Sequence, residues 1–169
     1  MTEYTIEITT YCPHNCNYCS TKATQDGIHI DIEIIKQFLN SNKIKATDRL
    51  NISGGEPLAH PKFWDILQMC KQITPDVWVY TNALTQIRYN TSVIEEIRVE
   101  ANVCLTPGED VYIPKNADKV HLLQLIPQGR ANNMKNINVS LSGCDCSSCN
   151  HKVLQADGQI VEAPCKKKY

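Results

Sequence analysis

Apolar and polar residues alternate from Thr2 to Thr10, with Tyr4, Ile6 and Ile8 on one face and Thr5, Glu7 and Thr9 on the other. A two-residue period is that of a β-strand half-buried against a core. After Gly27 the period changes. Asp31 is a fitting N-cap, and Ile34, Ile35, Phe38 and Leu39 recur at helical spacing, which predicts a helix over about 31–41. Leu50 to Ser53 predicts a short strand that runs into Gly54-Gly55-Glu56-Pro57. Pro61 opens a second helix, whose Phe63, Ile66, Leu67, Cys70 and Ile73 form one stripe. Val77 to Tyr80 is rich in β-forming residues and ends in Thr81-Asn82. A third helix is expected over about 91–98, carrying Val93, Ile94 and Ile97, with strands at about 101–105 and 119–126.

This alternation of strand and helix is the rhythm of a parallel sheet with crossover helices. The rhythm fails from Pro107 to Lys119, where two prolines and little periodicity predict a loop in place of a crossover helix. Beyond Gln128 the composition changes. Asn132, Asn133, Asn136 and Asn138 crowd one stretch, and Cys144, Cys146, Cys149 and Cys165 follow. The expected fold is α/β, an open partial barrel over 1–128 with a small cysteine-rich module over 129–169.

Composition narrows the function classes. A chain of 169 residues holds one domain with room for an appendage. The net charge of −1 gives no footprint for a polyanion, so no nucleic-acid partner is expected, and the Lys166-Lys167-Lys168 tail reads as solvated. No apolar run is long enough to span a membrane, and Met1 to Thr10 lacks a signal-peptide core. Nine cysteines, an odd number, without an export signal favour metal binding over disulfides, in a reducing, low-oxygen cytoplasm.

The first strand ends at Cys12, Cys16 and Cys19, spaced C-x3-C-x2-C with Tyr18 before the third. Ligand sites of parallel α/β sheets lie at that end of the strands. Cysteine thiolates are soft ligands for zinc or iron–sulfur clusters. Three of them hold three irons of a cube and leave the fourth iron open. With His14 as a fourth ligand, the same loop suits zinc. The glycines of Gly54-Gly55-Glu56-Pro57 permit a sharp turn and a close approach to a ligand, and the carboxylate can accept from an amine; an ordinary strand-to-helix turn is the plainer alternative. Thr81-Asn82 is either a polar contact or an Asn-assisted turn. Cys144, Cys146, Cys149 and Cys165 form a second set of four thiols, and Asp157-Gly158 signals a hairpin that returns Cys165 to the others. Cys70 and Cys104 read as core residues. Glu7 lines a cavity or faces solvent, and Arg130 suits a carboxylate.

The C-x3-C-x2-C loop with Tyr18, followed in order by GGEP, resembles the signature of radical S-adenosylmethionine (SAM) enzymes. The resemblance implies a partial (βα)6 barrel, shorter and more open here. It implies a [4Fe–4S] cluster on Cys12, Cys16 and Cys19, with SAM on the open iron. Tyr18, Ser53, Gly54, Gly55, Glu56, Pro57, Thr81 and Asn82 would surround the SAM. Reductive cleavage would give a 5′-deoxyadenosyl radical that abstracts hydrogen from substrate. The C-terminal cysteines resemble the SPASM or twitch extension, which implies a second [4Fe–4S] cluster on Cys144, Cys146, Cys149 and Cys165, zinc being the alternative. Such modules often accompany peptide or protein modification. A nucleotide-like or other small metabolite, a glycyl-radical activating role, and a zinc-stabilised binding module without chemistry are the alternatives. An electron donor such as flavodoxin or ferredoxin is implied, and a partner or the C-terminal module would close the open barrel. No catalytic acid or base is identified.

Overall fold

The computed structural model describes residues 1–81 and 150–162 with their side chains, and the backbone of 100–105 and 119–124. The helix expected at 91–98, the loop after Pro107, Asn82, Arg130, Cys144, Cys146, Cys149 and Cys165 lie outside the described residues. The chain divides into two compact units, one of 1–15, 21–87 and 143–169, the other of 16–20 and 88–142.

In the first unit the chain runs through β1 (Glu3–Glu7), α1 (Ile32–Ser41), β2 (Arg49–Ser53), a 3-10 turn (Pro57–Ala59), α2 (Phe63–Ile73) and β3 (Val77–Val79). The second unit contributes β4 (Glu100–Leu105) and β5 (Lys119–Gln124), a parallel pair forming its own two-stranded sheet. The first unit is completed by β6 (Lys152–Leu154) and β7 (Ile160–Glu162). Its sheet has the order β3-β2-β1-β6-β7. All neighbours are parallel except β6 and β7. Thr5 stands opposite Asn51 on one side and Val153 on the other, and Asn51 opposite Trp78.

Within the described residues the first helix forms as its pattern predicts, while the second starts after Pro61, with Lys62 at its N-cap. Asp31 caps α1, its carboxylate accepting from the Glu33 N–H at 2.9 Å. At the other end both the Asn42 side chain (2.8 Å) and the Asn42 backbone N–H (3.1 Å) donate to Phe38 O, which closes the last turn. Helix α2 begins two residues after Pro61 and stops at Thr74, whose hydroxyl reaches Asp48 O at 2.8 Å. Both helices pack on the face of the sheet that carries Tyr4, Ile6, Leu50, Ile52 and Leu154, with Ile35, Phe38, Phe63, Ile66 and Cys70 opposite them. Cys70 is fully buried, as its place on the α2 stripe predicts, and burial pushes its thiol up to about 12. The hairpin at Asp157-Gly158 is present. Gly158 takes φ +85°, and the Gln155 and Gln159 backbones close it at 2.8 Å.

Two features go beyond the sequence pattern. Among the described residues the strands at 100–105 and 119–124 pair with each other. The first unit's sheet gains β6 on the other side of β1, so residues 152–162 supply two strands to the sheet whose first strand runs on toward Cys12.

Candidate functional site

Beyond Glu7 the backbone of β1 runs on into Ile8 to Cys12 and acquires a neighbour on each side. Toward β2, Ile8 N–H donates to Ser53 O (2.9 Å), Gly55 N–H to Thr9 O (2.7 Å) and Glu56 N–H to Tyr11 O (2.9 Å). On the other side the chain returning from the cysteine loop pairs with it. Cys12 N–H donates to Thr24 O (2.8 Å), Thr24 N–H to Thr10 O (3.2 Å), Thr10 N–H to Ile28 O (2.8 Å) and Ile30 N–H to Ile8 O (3.0 Å). The loop carrying Cys16, Tyr18 and Cys19 is therefore closed at its base by Cys12 and Thr24.

Glycine makes this packing possible. A Cβ on Gly27 would lie 2.2 Å from Thr10 C and Tyr11 N; one on Gly54 would lie 2.4 Å from Thr9 O, and one on Gly55 2.3 Å from Tyr11 O. Contacts that short are not tolerated, so the backbones can approach only without side chains. Gly54 also has φ +143°. The glycines of the GGEP stretch are thus explained first by their fit against Thr9–Tyr11. Gly27 plays the same part from the opposite side, although no motif singles it out. Its one signal is an isolated glycine where the cysteine loop returns.

Cys12 is buried at the base of the loop, while Cys16, Tyr18 and Cys19 are half-buried. Cys12, Cys16, Cys19 and Cys70 are all thiols. Among the described residues no three His, Cys, Asp or Glu side chains are gathered as around a metal ion. The donor set still fits an iron–sulfur cluster: three soft thiols on one short loop, with no carboxylate between them. His14, on the same loop, has a buried Nε2 without a hydrogen-bond partner.

Glu56 is fully buried, and its Oε1 accepts from the Leu58 N–H at 3.1 Å and the Thr81 hydroxyl at 2.7 Å. It caps the 3-10 turn, with Pro57 buried at the first position, where no N–H is needed. The carboxylate thus ties the end of β2 to the end of β3. Ser53, half-buried, ends β2, and Thr81 is exposed. The structure brings Ser53, Gly54, Gly55, Glu56, Pro57 and Thr81 together with the stem at Cys12.

Two histidines flank the stem. Thr9, fully buried, donates its hydroxyl to Ile28 O (2.9 Å) and accepts from Tyr11 N–H (2.9 Å). Its remaining lone pair faces His29 Nδ1 at 2.9 Å, which assigns the proton to Nδ1. The His29 ring lies 5.6 Å from Tyr11 and 4.9 Å, edge-on, from His60. His60 is buried, accepts from Lys62 N–H at Nδ1 (3.0 Å) and turns Nε2 to Ile30 O (3.3 Å). Burial holds its pKa below the ordinary histidine value, so it sits neutral. Nothing in the spacing of these histidines reveals their role.

The family model of the radical SAM superfamily matches residues 6–122. No curated protein sequence matches the chain. A solved structure, BtrN in complex with AdoMet and 2-DOIA, shares the fold with a TM-score of 0.59 at 18% identity, over 95% of this chain and 72% of that one. Among the described residues no helix is long and apolar enough to cross a membrane.

Proposed function

The chain belongs to the radical SAM superfamily, and from that membership we propose that it is an enzyme which cleaves SAM reductively and turns the resulting radical on a peptide substrate. Cys12, Cys16 and Cys19 would hold the [4Fe–4S] cluster, which when bound supplies the electron that breaks the SAM C5′–S bond, giving methionine and a 5′-deoxyadenosyl radical able to take hydrogen from substrate. The chain's own residues position the reactants. An ammonium is a donor only, so the amino group of SAM needs acceptors. Gly55 and Glu56 spend their N–H groups on Thr9 and Tyr11, and the Glu56 and Pro57 carbonyls accept from Ala59 and His60, so the acceptors the turn would offer are the Gly54 and Gly55 carbonyl oxygens. The observation that carries the proposal is this pairing, since it seats the GGEP turn against the base of the cysteine loop.

Cys144, Cys146, Cys149 and Cys165 would hold a second [4Fe–4S] cluster, or zinc, with flavodoxin or ferredoxin as electron donor. The hairpin β6–β7, which ends three residues before Cys165, supports a place for that segment beside the core. The peptide substrate rests on the resemblance of this cysteine set to SPASM and twitch modules. A small metabolite is the second reading, supported by BtrN, whose structure holds AdoMet together with 2-DOIA.

Anaerobic reconstitution tests the proposal. About eight irons per chain are expected, falling to about four when Cys12, Cys16 and Cys19 are all changed to Ala. With dithionite and SAM, the wild type should release 5′-deoxyadenosine and the triple variant none. Wild-type protein that takes up iron yet never cleaves SAM would sink the reading. Zinc recovered beside four irons would assign the C-terminal set to zinc.

A further inference from the structure

An iron–sulfur cluster needs more from its protein than thiolates. Reduction adds negative charge to the sulfurs, so N–H groups that donate to them stabilise the reduced form and raise its potential. Between Cys12 and Cys19 the backbone has little of this kind to give. Pro13 has no N–H. Cys12 N–H goes to Thr24 O at 2.8 Å, and Cys19 N–H goes to Cys16 O at 3.3 Å. The Pro13 carbonyl is engaged as well. It accepts from the Gln25 side-chain amide at 3.0 Å, which ties the bridge between the first two cysteines to the returning chain.

His14 stands in the middle of that bridge. Two peptide units separate it from Cys12 and two from Cys16, each spanning about 3.8 Å. A cluster held by both thiolates therefore sits beside this residue. The His14 ring is half-buried, and its Nε2 is shut away from water with no hydrogen-bond partner among the described residues. A polar ring nitrogen left in that state is costly until something completes it. The other histidines are unlike it. His29 engages Thr9, His151 engages Thr5, and His60 engages Lys62 and Ile30.

A ring nitrogen can meet a cluster as an iron ligand or as an N–H donor. Ligation would occupy the one iron that the three thiols leave open, and so would compete with SAM. Donation to a sulfur leaves that iron free. Resting on the function proposed above, we infer that His14 donates its Nε2–H to a sulfur of the cluster on Cys12, Cys16 and Cys19, and so raises the reduction potential of that cluster. The neutral ring with its proton on Nε2 is sufficient. The side chain supplies the donor that Pro13 lacks and that the Cys12 and Cys19 backbones spend elsewhere.

The test is a redox titration of the anaerobically reconstituted full chain, followed by EPR on the signal that changes when SAM is added. His14→Leu should lower the midpoint of that signal, weakening reduction about tenfold, which is about 59 mV for one electron. His14→Gln keeps an N–H donor and should recover most of the shift. In wild-type protein carrying isotope-labelled histidine nitrogen, pulsed EPR of the same signal should show a weak nitrogen coupling that His14→Gln lacks. The labelled wild type reports even if His14→Leu takes up no iron. An unchanged midpoint in iron-loaded His14→Leu, or no nitrogen coupling, overturns the inference and leaves the function standing. A strong coupling also overturns it, making His14 an iron ligand. A reconstituted wild type with no signal that responds to SAM overturns the function reading and this inference together.

Discussion

Glycine has different reasons for being at the two ends of the sheet's central ladder. At Gly27, Gly54 and Gly55 an added Cβ would lie 2.2 to 2.4 Å from the backbone of Thr9–Tyr11, whereas at Gly158 it would meet only Ile34 methyl carbons at 3.8 and 3.9 Å. The first three are needed because two backbones touch. Gly158 is needed because its φ of +85° belongs to the left-handed region of a hairpin turn. The contrast teaches that a steric glycine holds two segments in place relative to each other, while a torsional one shapes only its own turn. Damage to the first kind should travel to the metal site, and damage to the second should stay local.

The largest expected effect comes from Gly27→Ala or Gly55→Ala. Either should cost about 2–3 kcal/mol, the range for overpacking against rigid surroundings, and should empty the loop of iron. Gly158→Ala should cost about 1 kcal/mol for its backbone torsion and leave iron uptake unchanged. Urea midpoints and iron per chain, measured on all three variants, check the contrast. Equal iron loss at Gly158 would erase it.

A smaller effect is expected at Glu56, which joins the same stem by hydrogen bonds instead of contact. Glu56→Ala removes the acceptor of the Leu58 N–H and of one Thr81 hydroxyl bond and should cost about 1–3 kcal/mol. SAM should then bind about tenfold more weakly, with the cluster kept. Glu56→Gln supplies an amide oxygen for the same two donors and should recover most of the loss in a SAM titration. If Gln is as poor as Ala, the negative charge itself is in use.

The smallest effect concerns pH. Burial depresses the His60 pKa below its unfolded value of about 6.5, so the native state prefers the neutral ring. The stability this contributes is complete above that unfolded value and is lost as pH falls through the folded pKa. Thermal melts from pH 7.5 down to 5 should show a decline that is shallower in His60→Gln. An unchanged slope would remove His60 as its source.

Much of this was legible from sequence where the signal is local. Asp31 announces α1, Asp157-Gly158 announces the hairpin, and the stripe through Cys70 announces a core residue. The cysteine spacing and GGEP carry the superfamily. What was hidden depends on tertiary neighbours. Gly27 looks like any break until Tyr11 lies against it. Glu56 looks like a ligand group, yet its Oε1 accepts from Leu58 and Thr81. Alternation alone places Glu7 on the face opposite Ile6, but that Ser53 stands beside it is known only from the strand pairing. Strand β6 has only three residues, too few for a periodic signal, and exists because β1 offers it a partner.

That last pairing bears on how the chain is made. Tyr4 lies beside Lys152, so β1 is flanked on both sides only once the ribosome has passed residue 154. Until then the nascent chain presents β1 with its outer row of amides and carbonyls unpaired, the kind of edge that recruits foreign strands. Contacts so distant in sequence also close slowly. Expression trials should therefore be sensitive to translation rate and chaperone supply, and a chain cut before β6 should accumulate in inclusion bodies even with the cysteine loop and GGEP intact.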